Sequence, residues 1–307
     1  MANPPAQDLV VQLATLTTEA FDPEFRDIDL AATESIVAAM NSENAAVVDA
    51  VVAASAPIAA AIDAIAERMR RGGRLVYAGA GTAGRMGVLD ASECPPTFST
   101  PPGLVVGLIA GGETAVTRAV EGAEDDFDGS VAQFDALHLG EEDSVVAISA
   151  SGRTRYAIGA LTHARARGAL TVALAGNHGS EMGRVADHVI EIEVGPEFLV
   201  GSTRLKSATV QKLVLNTIST VVMMRLGRTF GNLMVNMTAT NDKLRARARR
   251  IVVLATGCEQ AQADAALVDA GGDVKAAILM VLRGVDADTA RQRLDRSDGF
   301  LRTALDG

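Results

Sequence analysis

The sequence predicts an α/β protein built on a doubly wound, five-stranded parallel sheet, with an N-terminal helical arm and a small C-terminal helical domain. Five short apolar segments separated by helical patterns predict the sheet, because strands that alternate with helices pair in parallel through right-handed crossovers. These segments are residues 74–78, 104–110, 144–149, 170–175 and 189–194. A chain of 307 residues, 48% of them hydrophobic, is long enough to bury such a core.

The predicted N-terminal arm covers residues 1–63. Its first 43 residues are polar and mixed, which favours an irregular segment followed by a short helix over residues 30–40. Ile58, Ile62, Ile65 and Met69 then repeat at helical spacing, and the basic and glycine residues at 70–73 end that helix. The helix leads directly into the first strand.

The predicted sheet domain covers residues 64–227 and ends with a long helix that begins near Leu205. The C-terminal domain, residues 228–307, has apolar residues at helical spacing. Breaks at Gly271, Gly272 and Asp286 divide that domain into three predicted short helices.

Composition excludes several classes of function. The net charge of −10 and the 3% aromatic content argue against nucleic-acid binding, which needs clustered cations or stacking rings. No signal peptide or membrane-spanning apolar run is expected. Cys94 and Cys258 match no disulfide framework, so a reducing compartment, the cytoplasm, is the simplest location.

A glycine-rich loop follows the first predicted strand. Gly79, Gly81 and Gly84 satisfy the dinucleotide-binding pattern, which by itself is a weak indication of a nicotinamide dehydrogenase. The loop also suits an anion, because Gly81 and Thr82 open a helix whose N-terminus favours negative charge. A turn that only packs the helix on the sheet is an equally good interpretation.

Two hydroxyl-rich loops strengthen the anion hypothesis. Ser149, Ser151, Gly152 and Thr154 follow the third strand and precede a helix, where hydroxyls and backbone amides can hold a phosphate. Ser and Thr are also ordinary helix caps. A third cluster, residues 201–207, opens the long helix and includes Ser202 and Lys206. Together the loops predict an anionic small-molecule ligand.

Two glutamates stand out among 38 acidic residues. Glu93 lies just before Cys94, Pro95 and Pro96, which are expected to end its helix, so that the helix dipole and burial would raise the pKa of Glu93 and suit it to donate a proton. Glu124 follows a helical pattern into an acidic cluster that is more commonly a solvated surface.

Metal and thiol chemistry have little support in the sequence. The four histidines, His138, His163, His178 and His188, lack the spacing of metal ligands. Neither cysteine has a basic neighbour in sequence that would activate a thiol. We expect no metal and no cofactor.

With these pieces assembled, the chain resembles the N-acetylmuramic acid 6-phosphate etherase family, SIS-domain proteins related to glucokinase regulatory protein. The resemblance spans nearly the whole chain. It is carried by residues 79–85 (GAGTAGR), 89–97 (LDASECPPT), 120–125 (VEGAED), 201–206 (GSTRLK) and 240–244 (TNDKL).

The resemblance implies cleavage of the lactyl ether of N-acetylmuramic acid 6-phosphate with water, which yields N-acetylglucosamine 6-phosphate and D-lactate in cell-wall amino-sugar recycling. It implies that Glu93 is the acid and Glu124 the second catalytic carboxylate, the base. It also implies a homodimer with sites near the subunit interface, and it adds Asn241 and Lys243 as candidate ligand contacts.

The sequence departs from the family pattern at three places. Ala83 replaces a common Ser, Arg155 replaces a common Pro, and Phe21-Asp22 replaces the usual Arg-Asn before Pro23. Both glutamates are present. Because related SIS domains include sugar-phosphate sensors without catalysis, a regulatory sensor is the alternative function, and these two carboxylates carry the argument for an enzyme.

Overall fold

The structure, a computed structural model, describes residues 16–237 and 241–307. The strands are β1 (Leu75–Gly79), β2 (Val105–Ile109), β3 (Ser144–Ser149), β4 (Leu170–Ala175) and β5 (His188–Glu191). The helices up to β5 are α1 (Thr33–Ala53), α2 (Ser55–Arg70), α3 (Gly81–Phe98), α4 (Thr114–Thr117), α5 (Val131–Leu137) and α6 (Arg155–Ala166). The later helices are α7 (Lys206–Arg225), α8 (Asp242–Thr256), α9 (Gln260–Asp269), α10 (Val274–Arg283), α11 (Ala287–Arg296) and α12 (Leu301–Asp306).

The five strands form one parallel sheet in the order β2-β1-β3-β4-β5, which confirms the predicted fold class. Every residue of β1, β3 and β4 is buried, as expected when helices cover both faces of a parallel sheet. The chain runs outward in opposite directions from the β1/β3 pair. In open α/β sheets, ligands bind at the carboxyl ends of strands beside such a reversal.

The described residues form two compact units. The first contains the described residues up to Ser92 together with Val105–Ile218, and it holds the sheet. The second contains Glu93–Leu104 and the described residues of Ser219–Gly307. The division into residues 1–63, 64–227 and 228–307 stays a prediction. Thr240 of the 240–244 motif and the first fifteen residues lie outside the described residues.

Several helix predictions were wrong in extent. The helix expected over residues 30–40 is α1, a continuous 21-residue helix, because its alanines and valines continue the helical pattern past residue 43. α3 does not end before Pro95 and Pro96 but continues to Phe98. Each proline removes one backbone hydrogen bond, but its fixed φ is a helical value, and the helix stops only where Ser99 adopts a φ of +49°.

The helix α1 lies largely in solvent. By length and composition it is the one helix in the described part of the chain that could cross a membrane, and only 6% of its most apolar window is buried. Val37, Val48 and Val52 are 52–64% exposed and fall on one face, whereas Val47 on another face is buried.

The second unit has its own apolar core, formed by the described helices α8 to α12 and the residues before α8. It contains helices α8 to α12 where three were predicted. The predicted set did not include α8, which ends at Gly257, and the third predicted helix is divided into α11 and α12 around Gly299, whose φ is +75°. The segment 93–104 is attached to this unit by Phe98. Its carbonyl oxygen accepts hydrogen bonds from Arg228 Nη1 at 3.0 Å and from Asn236 Nδ2 at 3.4 Å.

Candidate active site

A cavity of about 400 Å³ lies in the first unit, where β1 and β3 end. Its wall includes both loops that the sequence singled out at these strand ends. Of the predicted site residues it brings together Gly81, Thr82, Glu124, Ser149, Ser151 and Thr154. The switch point of the sheet therefore has a polar cavity with a carboxylate in its wall.

The hydroxyl groups after β3 form a local network. Ser149 Oγ lies 2.8 Å from Thr154 Oγ1 and 3.3 Å from Ser151 Oγ, and the backbone N–H of Gly152 donates to Ser149 Oγ at 3.1 Å. Thr154 is the N-cap residue of α6, yet its side chain makes no capping hydrogen bond. The ordinary capping interpretation therefore does not explain this hydroxyl, and the first backbone N–H groups of α6 have no side-chain cap.

Gly152 gives the loop its path. Its φ is +71°, and a Cβ at this position would lie 2.4 Å from Ser180 Cβ, so both the conformation and the space require glycine. The residue shapes the loop, and it is not itself part of the cavity wall.

The glycines after β1 have separate tasks. Gly81 has a φ of +53° and lines the cavity. At Gly84 a Cβ would lie 2.5 Å from the carbonyl oxygen of Gly79, so this glycine lets α3 pack closely against β1. The third glycine of the apparent dinucleotide pattern thus has a packing role, as expected for a turn that packs the helix on the sheet.

Glu124 does not lie on the helix that its spacing predicted. α4 ends at Thr117, and Glu124 lies in a 3-10 turn, Ala123–Asp125, which follows Gly122 at a φ of +73°. The glycine turns the chain so that Glu124 lines the cavity, although its side chain is exposed to solvent. An acidic cluster whose sequence is typical of a solvated surface is therefore part of the cavity wall.

A second, smaller cavity of about 180 Å³ shares Ala80, Gly81 and Glu124 with the larger one. Small apolar side chains, including Ala110 and Ala115, form part of its wall, and Arg85 is the one cationic residue among the described residues that line it. Arg85 Nε donates to the carbonyl oxygen of Val116 at 3.0 Å, which holds the loop before Glu124. Glu124 thus stands between two adjoining spaces.

The predicted site omitted six polar residues of the larger wall: Glu19, Asp125, Arg153, Arg155, Thr203 and Gln211. Gln211, on α7, is 4% exposed, and its Oε1 has no hydrogen-bond partner among the described residues. A buried acceptor without a partner is costly, so Gln211 is well suited to a donor on a ligand. Its position within the apolar pattern of α7 was the available signal, whereas Glu19 reaches the cavity only through tertiary folding.

Ser202 and Lys206 do not line the cavity, in contrast to Thr203 between them. The Lys206 side chain is 3% exposed, and its Nζ lies 2.6 Å from Glu43 Oε2. Glu197 accepts hydrogen bonds from the backbone N–H groups of Lys206 and Ser207, which caps α7. In this structure Lys206 is an ion-pair partner of α1.

Glu93, Asn241 and Lys243 belong to the second unit. Glu93 is exposed and lies within α3 rather than at its end, so the expected burial and the position at the negative end of the helix dipole were wrong. Asn241 caps α8 by accepting from the backbone N–H of Leu244 at 2.9 Å. That these residues share a site with Glu124 stays a prediction.

The described residues contain no cluster of three or more His, Cys, Asp or Glu side chains placed to hold a metal ion. Neither Cys94 nor Cys258 forms a disulfide within the described residues, and Cys94 is buried. His163 has a structural contact, because its Nε2 lies 2.8 Å from Asp128 Oδ1.

Two family models match the part of the chain that contains the five strands. The model of the glucokinase regulatory protein N-terminal SIS domain matches residues 57–165, and the SIS domain model matches residues 119–218. A solved phosphoheptose isomerase from Francisella tularensis is 19% identical, with a TM-score of 0.49, covering 62% of this chain and 97% of that chain.

Curated relatives match almost the entire chain. An N-acetylmuramic acid 6-phosphate etherase from Streptomyces avermitilis is 59% identical, covering 97% of this chain and 96% of the relative. Etherases from Streptomyces coelicolor (57%; 99% and 98% covered) and Rubrobacter xylanophilus (53%; 96% and 97% covered) are similarly related. Identity of this extent, over a fold with SIS-domain matches and a polar cavity at the switch point, shows that the chain belongs to the N-acetylmuramic acid 6-phosphate etherase family.

Proposed function

We propose that this protein is a carbon–oxygen lyase that cleaves the lactyl ether of N-acetylmuramic acid 6-phosphate with water, giving N-acetylglucosamine 6-phosphate and D-lactate. The observation that carries the proposal is the cavity at the ends of β1 and β3, which combines a hydroxyl-rich loop with Glu124 in one wall. An etherase needs both an anion site for the phosphate and a carboxylate for proton transfer.

The phosphate is assigned to the loop from Ser149 to Thr154. Its three hydroxyls can reorient to donate hydrogen bonds, and the uncapped N-terminus of α6 favours negative charge. Arg153 lines the same cavity and adds positive charge. Binding the phosphate here uses an unreactive part of the substrate to place the reacting carbons beside Glu124.

Glu124 is assigned as the base. In the open-chain sugar, the C2 hydrogen is next to an aldehyde, so its removal leaves an enolate-like charge. Glu93 is assigned as the acid that protonates the C3 ether oxygen as lactate leaves. Water then adds to C3 of the unsaturated aldehyde, with its proton passing to the same acid, and C2 is reprotonated. No step requires a metal or redox cofactor.

We assign the smaller cavity to substituents on the reacting carbons of the sugar. It adjoins the larger cavity at Glu124, has a partly apolar wall and has a volume of about 180 Å³. With the phosphate in the loop after β3 and C2 beside Glu124, a small substituent at C2 or C3 extends into this space. Gln211 Oε1 supplies an acceptor for a hydroxyl or amide donor on the other side.

The test is incubation of the purified protein with N-acetylmuramic acid 6-phosphate in D₂O, followed by NMR of D-lactate and of the sugar C2 position. Lactate release with deuterium at C2 supports elimination and hydration. Ligand binding without lactate release would overturn the proposal and favour the sensor function.

Glutamine variants test the two assigned carboxylates. Glu93→Gln and Glu124→Gln should each lower kcat by about 10² to 10⁴ while the substrate still binds. Glu259→Gln, which changes an exposed glutamate of the second unit, is the matched control. Lactate release that is unchanged in both site variants would exclude these assignments.

We also propose that the protein is a homodimer, with α1 at the interface. Val37, Val48 and Val52 form an exposed apolar face, which in a water-soluble protein is typical of an association surface. A second copy is the favoured occupant because Glu34, Glu43 and Asp49 on the same helix oppose burial in lipid. Glu43 of α1 also forms an ion pair with Lys206, the first residue of α7. Thr203, shortly before that helix, lines the cavity.

Light scattering after size exclusion tests the dimer. A Val48→Glu, Val52→Glu double variant should shift the mass from dimer to monomer, whereas Val268→Glu, at a valine of α9 that is still more exposed, should not. A monomeric wild-type protein, or association with lipid vesicles, would overturn the proposal. Two cysteines that form no disulfide within the described residues are compatible with the reducing cytoplasm that we propose as its location.

A further inference from the structure

One face of α6 runs along the chain segment that follows Glu124. Arg155, Gly159 and His163 are spaced four residues apart, so they lie on the same side of the helix. Each contacts a different point of the segment 125–128. The same helix begins directly after the hydroxyl loop assigned to the phosphate.

The three contacts differ in kind. Arg155 Nε donates to the carbonyl oxygen of Asp125 at 3.0 Å. Gly159 allows close approach, because a Cβ there would lie only 1.7 Å from the carbonyl oxygen of Phe127. His163 Nε2 lies 2.8 Å from Asp128 Oδ1.

The contact by Arg155 is the one nearest the reaction. Asp125 is the last residue of the 3-10 turn that contains Glu124. Within the turn, Asp125 N–H donates to Gly122 O at 3.1 Å and Asp126 N–H to Ala123 O at 3.4 Å, while Ala123 N–H donates to Val120 O and its side chain packs against a core cluster. The Glu124 side chain is exposed, so the turn is held through the neighbours of Glu124 and not through its own side chain. A guanidinium anchored on a regular helix supplies a rigid reference for this turn.

We propose that Arg155 is a positioning residue, which fixes the Glu124 turn relative to the phosphate loop through its hydrogen bond to Asp125. This role rests on the proposed function and adds to it the contact that sets the distance between the anchored phosphate and the base. Thr154 ends the loop and Arg155 begins the helix, so the two substrate-handling elements share one rigid support.

Two variants remove the guanidinium. Arg155→Met keeps the aliphatic stem. Arg155→Pro keeps the helix start, because proline is favoured at the first helical position and Thr154, with φ −55° and ψ 118°, already has the backbone that precedes proline. Arg165→Met is the matched control, since Arg165 donates to the carbonyl oxygen of Val185 from the other end of the same helix.

The kinetic expectation is a fall in kcat of about tenfold in both Arg155 variants, with KM changed less than twofold, because base geometry and not phosphate affinity is disturbed. Arg165→Met should leave both constants unchanged. A rise in KM with kcat unchanged would overturn the proposal, since it would make Arg155 a phosphate contact.

Hydrogen exchange of the free protein gives a second, activity-independent measurement. The backbone amides of residues 121–129 should exchange faster in both Arg155 variants than in wild type and in Arg165→Met. Unchanged exchange would overturn the positioning role. If wild type releases no lactate, the proposed function fails, and the exchange result still decides whether Arg155 holds the turn.

Discussion

Arg74 and Asp143 form a bidentate ion pair at the start of the neighbouring strands β1 and β3. Arg74 Nε lies 2.9 Å from Asp143 Oδ1, and Arg74 Nη2 lies 2.7 Å from Asp143 Oδ2. The backbone N–H groups of Arg74 and Gly140 also donate to this carboxylate. Residue 74 precedes β1 and residue 143 precedes β3, so the pair joins these strands at the end opposite to the cavity.

This pair should make the stability depend on acid pH. Burial acts to raise the pKa of Asp143, but hydrogen bonds from Arg74 and the backbone outweigh it, so the folded pKa is below the ordinary 3.8. The stabilisation is therefore complete above the unfolded pKa and is lost as pH falls through the folded value. Asp143→Asn should lower the free energy of unfolding at pH 7 by about 2 kcal/mol and flatten its acid dependence. Urea unfolding at several pH values checks this, and an acid dependence as steep as in wild type would contradict it.

The hydroxyls of Ser149 and Thr154 should determine phosphate affinity. Ser149→Ala removes both the contact to Thr154 and the acceptor of the Gly152 N–H. We expect KM to rise about tenfold or more, at about 1.5 kcal/mol per lost charge-assisted hydrogen bond, with a smaller effect on kcat. Steady-state kinetics measures this, with Ser92→Ala, an exposed serine bonded to Leu89 O, as control. An equal rise in KM in both variants would contradict the assignment of this loop to the phosphate.

Close packing at Gly159 should be intolerant of a methyl group. Because the added Cβ would lie 1.7 Å from Phe127 O, either α6 or the segment after Glu124 must move. We expect Gly159→Ala to cost about 1–3 kcal/mol of unfolding free energy and to lower kcat in the folded protein. Gly140→Ala, where the nearest atom lies 4.0 Å away, is the control for thermal melting and kinetics. A Gly159→Ala protein with wild-type melting would refute the close contact.

The second unit contains a lysine with an unusual proton affinity. Burial, and then the positive charge of Arg228, lower the pKa of Lys275 to about 8 from the ordinary 10.5, against the opposing effect of Asp273. Between these values the unfolded chain binds a proton that the folded chain does not, so stability should rise with pH from about 8 to 10.5. Lys275→Met should abolish that rise in urea unfolding, whereas Lys212→Met should retain it. The same rise in both variants would assign it to other groups.

The sheet was predictable from sequence, and the extent of the helices was less so. Apolar runs at 144–149 and 170–175 coincide with β3 and β4 because strands buried on both faces have continuous apolar residues. Pro95 and Pro96 misled the prediction for α3, because the helix continues through both prolines to Phe98 although each removes a backbone hydrogen bond.

The hydroxyl loop of the candidate site could be located because its residues are contiguous and follow a recognisable strand. Glu19 could not, because its place in the cavity wall depends on contacts between distant parts of the chain. Lys206 was predicted as a ligand contact from its position at a helix start, but a long side chain can turn away from that start, and here it reaches Glu43. Local pattern identifies helix ends well and side-chain direction poorly.

The second unit is discontinuous in sequence, and this has a consequence for biosynthesis. Residues 93–104 leave the ribosome long before Arg228 and Asn236, the two donors to Phe98 O. A nascent chain can therefore complete β1 and β3 while the peptide that carries Glu93 still awaits its partners. Termination before Arg228 would release a chain that has its hydroxyl loop but lacks both of these donors to Phe98 O, in the helix that carries the assigned proton donor Glu93.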